Sequence, residues 1–292
     1  MDFGRLLTAM VTPFDEDLKI DYGKLDQLIE HLISTGTTTI VVAGTTGESP
    51  TLTHDEKLAL FKHVVEKANG RVKVVAGTGS NATDASVAFS QEAEAAGVDG
   101  LLLVAPYYNK PSQEGLYQHF KTIADAVKIP CILYNIPGRT SINMSAETTL
   151  RLADVPNIVA TKESSGDFNQ INNILRGAPE GFRIYSGDDN LTLPMLAVGA
   201  YGIVSVAAHV IGEEMTQMIN AFVEGRVAEA SRLHLQLDPI FTGLFLNTNP
   251  TGVKAALKLQ GLDVGGVRLP LVEAEAWAVE EIGKRLAAVK GK

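Results

Sequence analysis

The run Ile158-Val159-Ala160-Thr161-Lys162-Glu163 is apolar and β-branched up to a single amine, which predicts a buried parallel strand ending in a lysine. Further short apolar runs of the same kind occupy residues 6–10, 39–43, 72–76, 100–105, 131–136, 183–186 and 202–207, the strand just quoted filling 158–162 in that series. The segments between them carry helical spacing, as in Leu25, Leu28, Ile29 and Leu32, then Leu58, Phe61, Val64 and Val65. Thr53 followed by Glu56 makes a capping box at the start of the second of these, with Asp55 and Glu56 well placed against the helix dipole. Eight strand–helix alternations predict an α/β fold, a closed (β/α)8 TIM barrel. An open doubly wound sheet is the alternative, but no GxGxxG follows the first strand and a count of eight favours closure.

Past the eighth strand the pattern changes to helices alone. Those expected span 226–246, 251–259 and 271–289, separated by Asn249-Pro250 and a loop over 261–270. The expected organisation is a catalytic barrel over 1–224 and a C-terminal helical domain over 225–292, packed on the barrel because no linker or low-complexity segment divides them. At 292 residues the chain could hold two average domains, yet single α/β barrels run to about 250 residues, so length forces no split.

Composition narrows the function. Net charge is −9 with no long basic block, so the footprint of a nucleic-acid or anionic-membrane binder is missing. A single cysteine, Cys131, rules out an intrachain disulfide and suits a reducing cytoplasm. The amino terminus carries no basic region followed by a signal-type apolar segment, and no stretch is long enough to span a bilayer, so a cytoplasmic protein is expected.

In barrels of this type, catalytic residues project from the C-terminal ends of strands. Here those exits are polar and glycine-rich: Gly44-Thr45-Thr46-Gly47-Glu48-Ser49, Pro106-Tyr107-Tyr108-Asn109, Tyr134-Asn135-Ile136-Pro137-Gly138-Arg139-Thr140, Lys162-Glu163-Ser164-Ser165-Gly166-Asp167 and Ser186-Gly187-Asp188-Asp189. A free lysine, with a pKa of about 10.4, offers roughly one neutral amine in several thousand at pH 7; desolvation toward ~7 makes about half nucleophilic. Lys162 is therefore a candidate for imine chemistry, against the ordinary alternative of a strand-end lysine reaching solvent. Imine turnover needs proton transfers that Tyr134, Thr45 and Tyr108 could relay. Each tyrosine could equally be a core residue with one satisfied hydroxyl. Arg139 is either a surface-paired loop residue or a fork for a carboxylate. The six histidines show no metal-ligand spacing, His54 and His63 reading as surface residues, and no Walker loop, GxSxG or CxxC framework occurs.

The three motifs built on Thr45, Tyr134 and Lys162, in that order, together with Thr12-Pro13 and Asn249-Pro250, give the chain a resemblance to the dihydrodipicolinate synthase family of pyruvate-dependent class I aldolases, running from residue 1 to about 270. The resemblance implies that Lys162 forms an imine with pyruvate. It implies that Thr46, Gly187 and backbone around Val204 hold the pyruvate, that Thr45, Tyr134 and Tyr108 form the proton relay, and that Arg139 binds the carboxylate of L-aspartate 4-semialdehyde. No metal or organic cofactor is implied. A homodimer, with Tyr108 crossing to the neighbouring site, or a homotetramer is. Val204 stands where the family pattern has isoleucine, one methylene larger. N-acetylneuraminate lyases and keto-deoxy sugar acid aldolases share the barrel, lysine and tyrosine; Arg139 and the Thr45-Thr46 pair point to the synthase. A barrel that binds a metabolite without turnover is the remaining alternative.

Synthases of this family that lysine inhibits bind it at the dimer interface, and the corresponding positions are Pro50, His54, Lys57, Gly79, Asn81, Ala85 and Tyr107. Lys57 puts a second cation where sensitive enzymes have histidine, and Ala85 lacks the carboxylate that would pair with the ligand ammonium. Lysine inhibition is expected to be weak or absent.

Overall fold

The strands form one closed parallel sheet. β1 (Leu6–Ala9) pairs with β2 (Thr39–Val42) on one side and with β8 (Gly202–Ser205) on the other. Between them β3 (Lys73–Gly77), β4 (Gly100–Val104), β5 (Cys131–Asn135), β6 (Ile158–Glu163) and β7 (Arg183–Ser186) follow in chain order. The computed structural model describes residues 2–290, so Met1 and 291–292, the outer ends of the two expected units, lie outside it. The expected eight-stranded barrel is the observed one, with strand ends shifted by one or two residues.

Both faces of the sheet are buried, which is why its strands read as apolar runs rather than alternations. The period of two still sorts the side chains. Leu7, Val41, Val75, Leu102, Ile132, Ala160, Tyr185 and Val204 fill the barrel interior. Their neighbours, among them Ile40, Val74, Leu101, Cys131 and Ile203, join the layer beneath the helices. Cys131 is fully buried there, and desolvation pushes its thiol up to about 12. Lys162 lies two residues beyond Ala160 and so projects into the interior at the C-terminal end.

The opposite end is closed by polar stacking. Arg5 and Arg183 each lie 4.3 Å from the centre of the Tyr201 ring, whose hydroxyl donates to Asp2 at 2.7 Å. Tyr185 donates to the Gly4 carbonyl at 3.0 Å.

Local signals placed most helices. In the helix His54–Ala68 the capping box is present in both directions: Glu56 N–H donates to Thr53 Oγ1 at 3.2 Å, and Thr53 N–H to Glu56 Oε2 at 2.8 Å. The last helix is a correction, because it spans Ala276–Lys290 rather than starting at 271. Its first turn is anchored on the Glu275 carbonyl, which accepts from Ala278 and Val279, whereas Leu271 closes a turn onto Arg268. Val272 is 68% exposed, so the apolar pair Leu271-Val272 that read as helical periodicity is not part of a packed helical face. The helices Val227–Gly243 and Thr251–Leu259 each pack on Ala276–Lys290 and on Ala208–Val223, the helix that follows β8.

Candidate active site

Parallel pairing sets Tyr134 on β5 opposite Lys162 on β6. Both are 5% exposed, and Lys162 Nζ lies 4.1 Å from the centre of the Tyr134 ring. The aromatic face is an electrostatic contact for the ammonium form in a site otherwise short of partners. No hydrogen bond or ion pair holds Nζ among the described residues. On the next strand exit, a Cβ at Gly187 would collide with Ser164 Oγ and stand 3.0 Å from Lys162 Cε, so any larger residue there would have to displace one of these side chains. Ser164 Oγ is buried there without a partner, as is Thr161 Oγ1.

Behind the sheet, a polar network locks the two strands in place. Residues next to Lys162 and Tyr134 face outward, so Glu163 and Asn135 meet beneath the helices in the same register. Asn135 Nδ2 donates to Glu163 at 3.0 Å and to Asn143 Oδ1 at 2.8 Å. Ser165 N–H donates to Glu163 at 2.8 Å, and Gln170 Nε2 donates to the same carboxylate at 3.3 Å. Burial raises the Glu163 pKa, and these donors offset part of that rise. A comparable clamp joins β7 to β8: Asp189, buried, accepts from Ser205 Oγ at 2.5 Å and from the amides of Val206 and Ala207 at 3.1 and 2.9 Å. It fixes the exit of the strand carrying Val204, itself wholly buried in the interior cluster.

Thr45 and Thr46 lie on the loop after β2. Thr46 is buried at 3% exposure and its Oγ1 accepts from Asn249 Nδ2 at 2.9 Å; Thr45 is half-buried. Glu48 holds φ 57, a left-handed conformation, with its side chain wholly buried against Lys254 at 2.7 Å. Arg139, in the short helix Pro137–Thr140, is exposed, and its guanidinium has no partner among the described residues. Asp188 ties the set together electrostatically: burial raises its pKa, while the charges of Lys162 and Arg139 draw it down. Tyr108 is not brought into this set. It is 89% exposed at φ 72 on the loop after β4.

The positions that the resemblance pairs with a lysine-binding site fall into two groups of contacts. His54 and Lys57 share Phe89, at 5.0 Å ring to ring and 5.7 Å from Nζ to ring centre, and His54 Nε2 lies 2.8 Å from Glu92 Oε2. Burial lowers the Lys57 pKa. Asn109 Nδ2, next to Tyr107 and Tyr108 in sequence, donates to the Asn81 carbonyl at 2.8 Å. Pro50 and Ala85 are exposed and Tyr107 is 42% exposed.

Sequence reasoning passed over Glu163, Asn135, Asp188, Asp189 and Lys254 as individual residues. For Lys254 a signal existed: it sits among Val253, Ala256 and Leu257 in a helix buried on most sides, and a lysine inside such a run calls for a buried partner. Lys254 also lines a cavity of about 580 Å3 between the loop around Asp15 and the C-terminal helices, which neither Lys162 nor Tyr134, Thr45, Thr46 or Arg139 lines.

The chain resembles known proteins over nearly its full length. Residues 2–289 match the sequence profile described as the dihydrodipicolinate synthetase family. A 4-hydroxy-tetrahydrodipicolinate synthase of Desulforamulus reducens is 58% identical over 283 residues, covering 97% of this chain and 96% of that protein. The solved dihydrodipicolinate synthase of Bacillus anthracis superposes with a TM-score of 0.96 at 52% identity, covering 98% of each chain. That of Cyanidioschyzon merolae, determined with lysine bound, gives 0.96 at 47% identity over 98% of each. With the barrel, the buried strand-end lysine and these full-length matches in agreement, the chain belongs to the dihydrodipicolinate synthetase family.

Proposed function

We propose that the protein is a lyase, a 4-hydroxy-tetrahydrodipicolinate synthase that condenses pyruvate with L-aspartate 4-semialdehyde in lysine and diaminopimelate biosynthesis. The observation that carries this reading is the buried Lys162 amine, unpaired among the described residues and 4.1 Å from the Tyr134 ring centre at the C-terminal end of the barrel. Nζ adds to the C2 carbonyl of pyruvate, and loss of one water from the carbinolamine leaves the imine. Removal of a C3 proton gives an enamine whose C3 attacks the semialdehyde aldehyde, forming the carbon–carbon bond. The semialdehyde amine then attacks C2 and displaces Lys162, which closes the ring and frees the enzyme.

Thr45 and Tyr134 move the protons in these steps, with Tyr108 contributed across a tight dimer. Its 89% exposure on this chain supports that role, since a tyrosine so exposed has surface to bury in a partner. Thr46, Gly187 and the backbone at Val204 hold pyruvate, and Arg139, exposed and unpartnered, meets the semialdehyde carboxylate as a bidentate fork. The assembly is a homodimer or a dimer of dimers in the cytoplasm, with barrel 1–224 carrying the chemistry and 225–292 supporting it. No described helix is long and apolar enough to cross a membrane.

The deciding experiment is intact-mass analysis after pyruvate and borohydride, with peptide mapping. A reduced pyruvyl adduct on Lys162 is expected; folded protein without one removes every aldolase reading. Coupled assay with aspartate semialdehyde against N-acetylneuraminate and keto-deoxy sugar acids then separates the synthase from its relatives.

Lysine inhibition is weak or absent in this reading. Lys57 adds a cation beside the incoming ammonium, and Ala85 offers it no carboxylate. A lysine titration with strong inhibition below about 1 mM would overturn this, the scale being set by ordinary metabolite levels.

A further inference from the structure

Asn249 lies in the turn between the helices Val227–Gly243 and Thr251–Leu259, 203 residues beyond Thr46, and is 6% exposed. Its Nδ2 donates to Thr46 Oγ1 at 2.9 Å. A threonine hydroxyl has one proton to give and two lone pairs to offer. With an amide donor on one lone pair, the Thr46 O–H is paired with no described residue, and Asn249 Oδ1 is likewise buried without a partner among them.

The turn is held against the loop at a second point. Lys254 Nζ pairs with Glu48 at 2.7 Å and donates to the Gly266 carbonyl at 2.6 Å, while Arg268 N–H donates to Glu48 Oε2 at 3.0 Å. Thr12 Oγ1 donates to the Gly47 carbonyl at 2.7 Å, so each residue of Thr46-Gly47-Glu48 is gripped.

We infer that Asn249 is a positioning residue for the reaction, its amide N–H setting Thr46 as a hydrogen-bond donor toward the carboxylate of pyruvate. The inference rests on the imine reading given above. It makes the C-terminal segment part of the substrate site by way of one hydroxyl, rather than only a brace for the barrel.

The test uses Asn249→Asp, nearly isosteric, whose carboxylate can only accept and so captures the Thr46 proton at neutral pH. KM for pyruvate is expected to rise about tenfold or more, with KM for the semialdehyde changed by less than about threefold. Protonating the new carboxyl restores a donor, so the variant-to-wild-type ratio of kcat/KM for pyruvate climbs as pH falls from about 7 to about 5. Asn249→Ala frees the hydroxyl without reversing it. It should raise the same KM about threefold, with a ratio flat in pH.

Pyruvate KM values within about twofold of wild type in both variants overturn the inference. So does equal damage from the two with flat pH ratios, which signifies lost packing. Should Asn249→Asp not fold, an unchanged pyruvate KM in Asn249→Ala overturns it alone, and a selective rise supports it. Wild type that forms no borohydride adduct removes the imine reading and this inference together; wild type that does, beside unaltered variants, removes only the inference.

Discussion

Lys162 and Tyr134 are register partners on adjacent parallel strands, so backbone pairing sets the two side chains next to each other, with the amine 4.1 Å from the ring centre. A nucleophile held this way needs little reordering before it meets a bound carbonyl.

Lys162→Met should remove the pyruvate adduct and lower kcat/KM by about 10³-fold or more, the scale of losing a covalent catalyst. Its thermal unfolding should match or exceed wild type, because the change removes a buried amine without an ion-pair partner and keeps the volume. A large fall in Tm would show that the amine stabilises the barrel rather than serving chemistry.

Gly187→Ala would place a methyl on top of Ser164 Oγ and 3.0 Å from Lys162 Cε. Something must shift, and overpacking of this kind costs about 1–3 kcal/mol. Displacement of Nζ should cost about a further hundredfold in kcat at full occupancy of folded enzyme. Activity near wild type in the folded variant would mean that the amine is not confined at this wall.

Glu48 and Lys254 form a buried ion pair at 2.7 Å, with side chains 0% and 4% exposed. Burial brings the Lys254 pKa down to about 8 even with Glu48 beside it. Removing one partner strands the other, so Lys254→Met or Glu48→Gln alone should destabilise by about 3–5 kcal/mol. The double variant should lose less than the sum, which denaturant titration in a double-mutant cycle measures. Additive losses would show that the two charges are not coupled.

His209 accepts from Val11 N–H at Nε2, 3.1 Å, and its Nδ1 donates to the Val206 carbonyl at 2.8 Å, so one neutral tautomer satisfies both bonds. A second ring proton would face the Val11 N–H. Burial accordingly lowers its pKa to about 4, and does the same for His119, whose Nε2 is buried without a partner. The unfolded chain takes up these protons from its ordinary pKa near 6.5 downward while the folded chain does not. Stability is therefore present above about 6.5 and is lost as pH falls toward about 4, by roughly 1–3 kcal/mol per histidine. Urea unfolding at pH 7.5 and pH 5 checks this, and His119→Gln should flatten the acid limb. Equal stability at the two pH values would refute it.

Much of the fold was legible in local sequence. Strand burial, helical spacing and caps depend on residues a few positions apart, and the eight repeats of strand and helix favour a closed sheet over an open one. The period of two along Ala160-Thr161-Lys162 even fixes which face the amine takes. Leu271 and Val272 misled because two apolar residues after Pro270 match a helical period by chance, and only packing shows that they are not helical.

The polar partnerships belong to the tertiary structure alone. Thr46 finds Asn249, and Glu48 finds Lys254, because barrel closure and the return of the C-terminal helices bring together loops some two hundred residues apart. Nothing in residue type dictates those pairs: a threonine or a glutamate carries no address, and its partner is whichever donor the packed backbone leaves within about 3 Å. Glu163 and Asn135 make the same point at shorter range, since each is visible in its own motif but their shared burial follows from strand register. Sequence by itself determined the barrel and the direction of its lysine; the packing of distant segments decided what holds the surrounding hydroxyls and carboxylates in place.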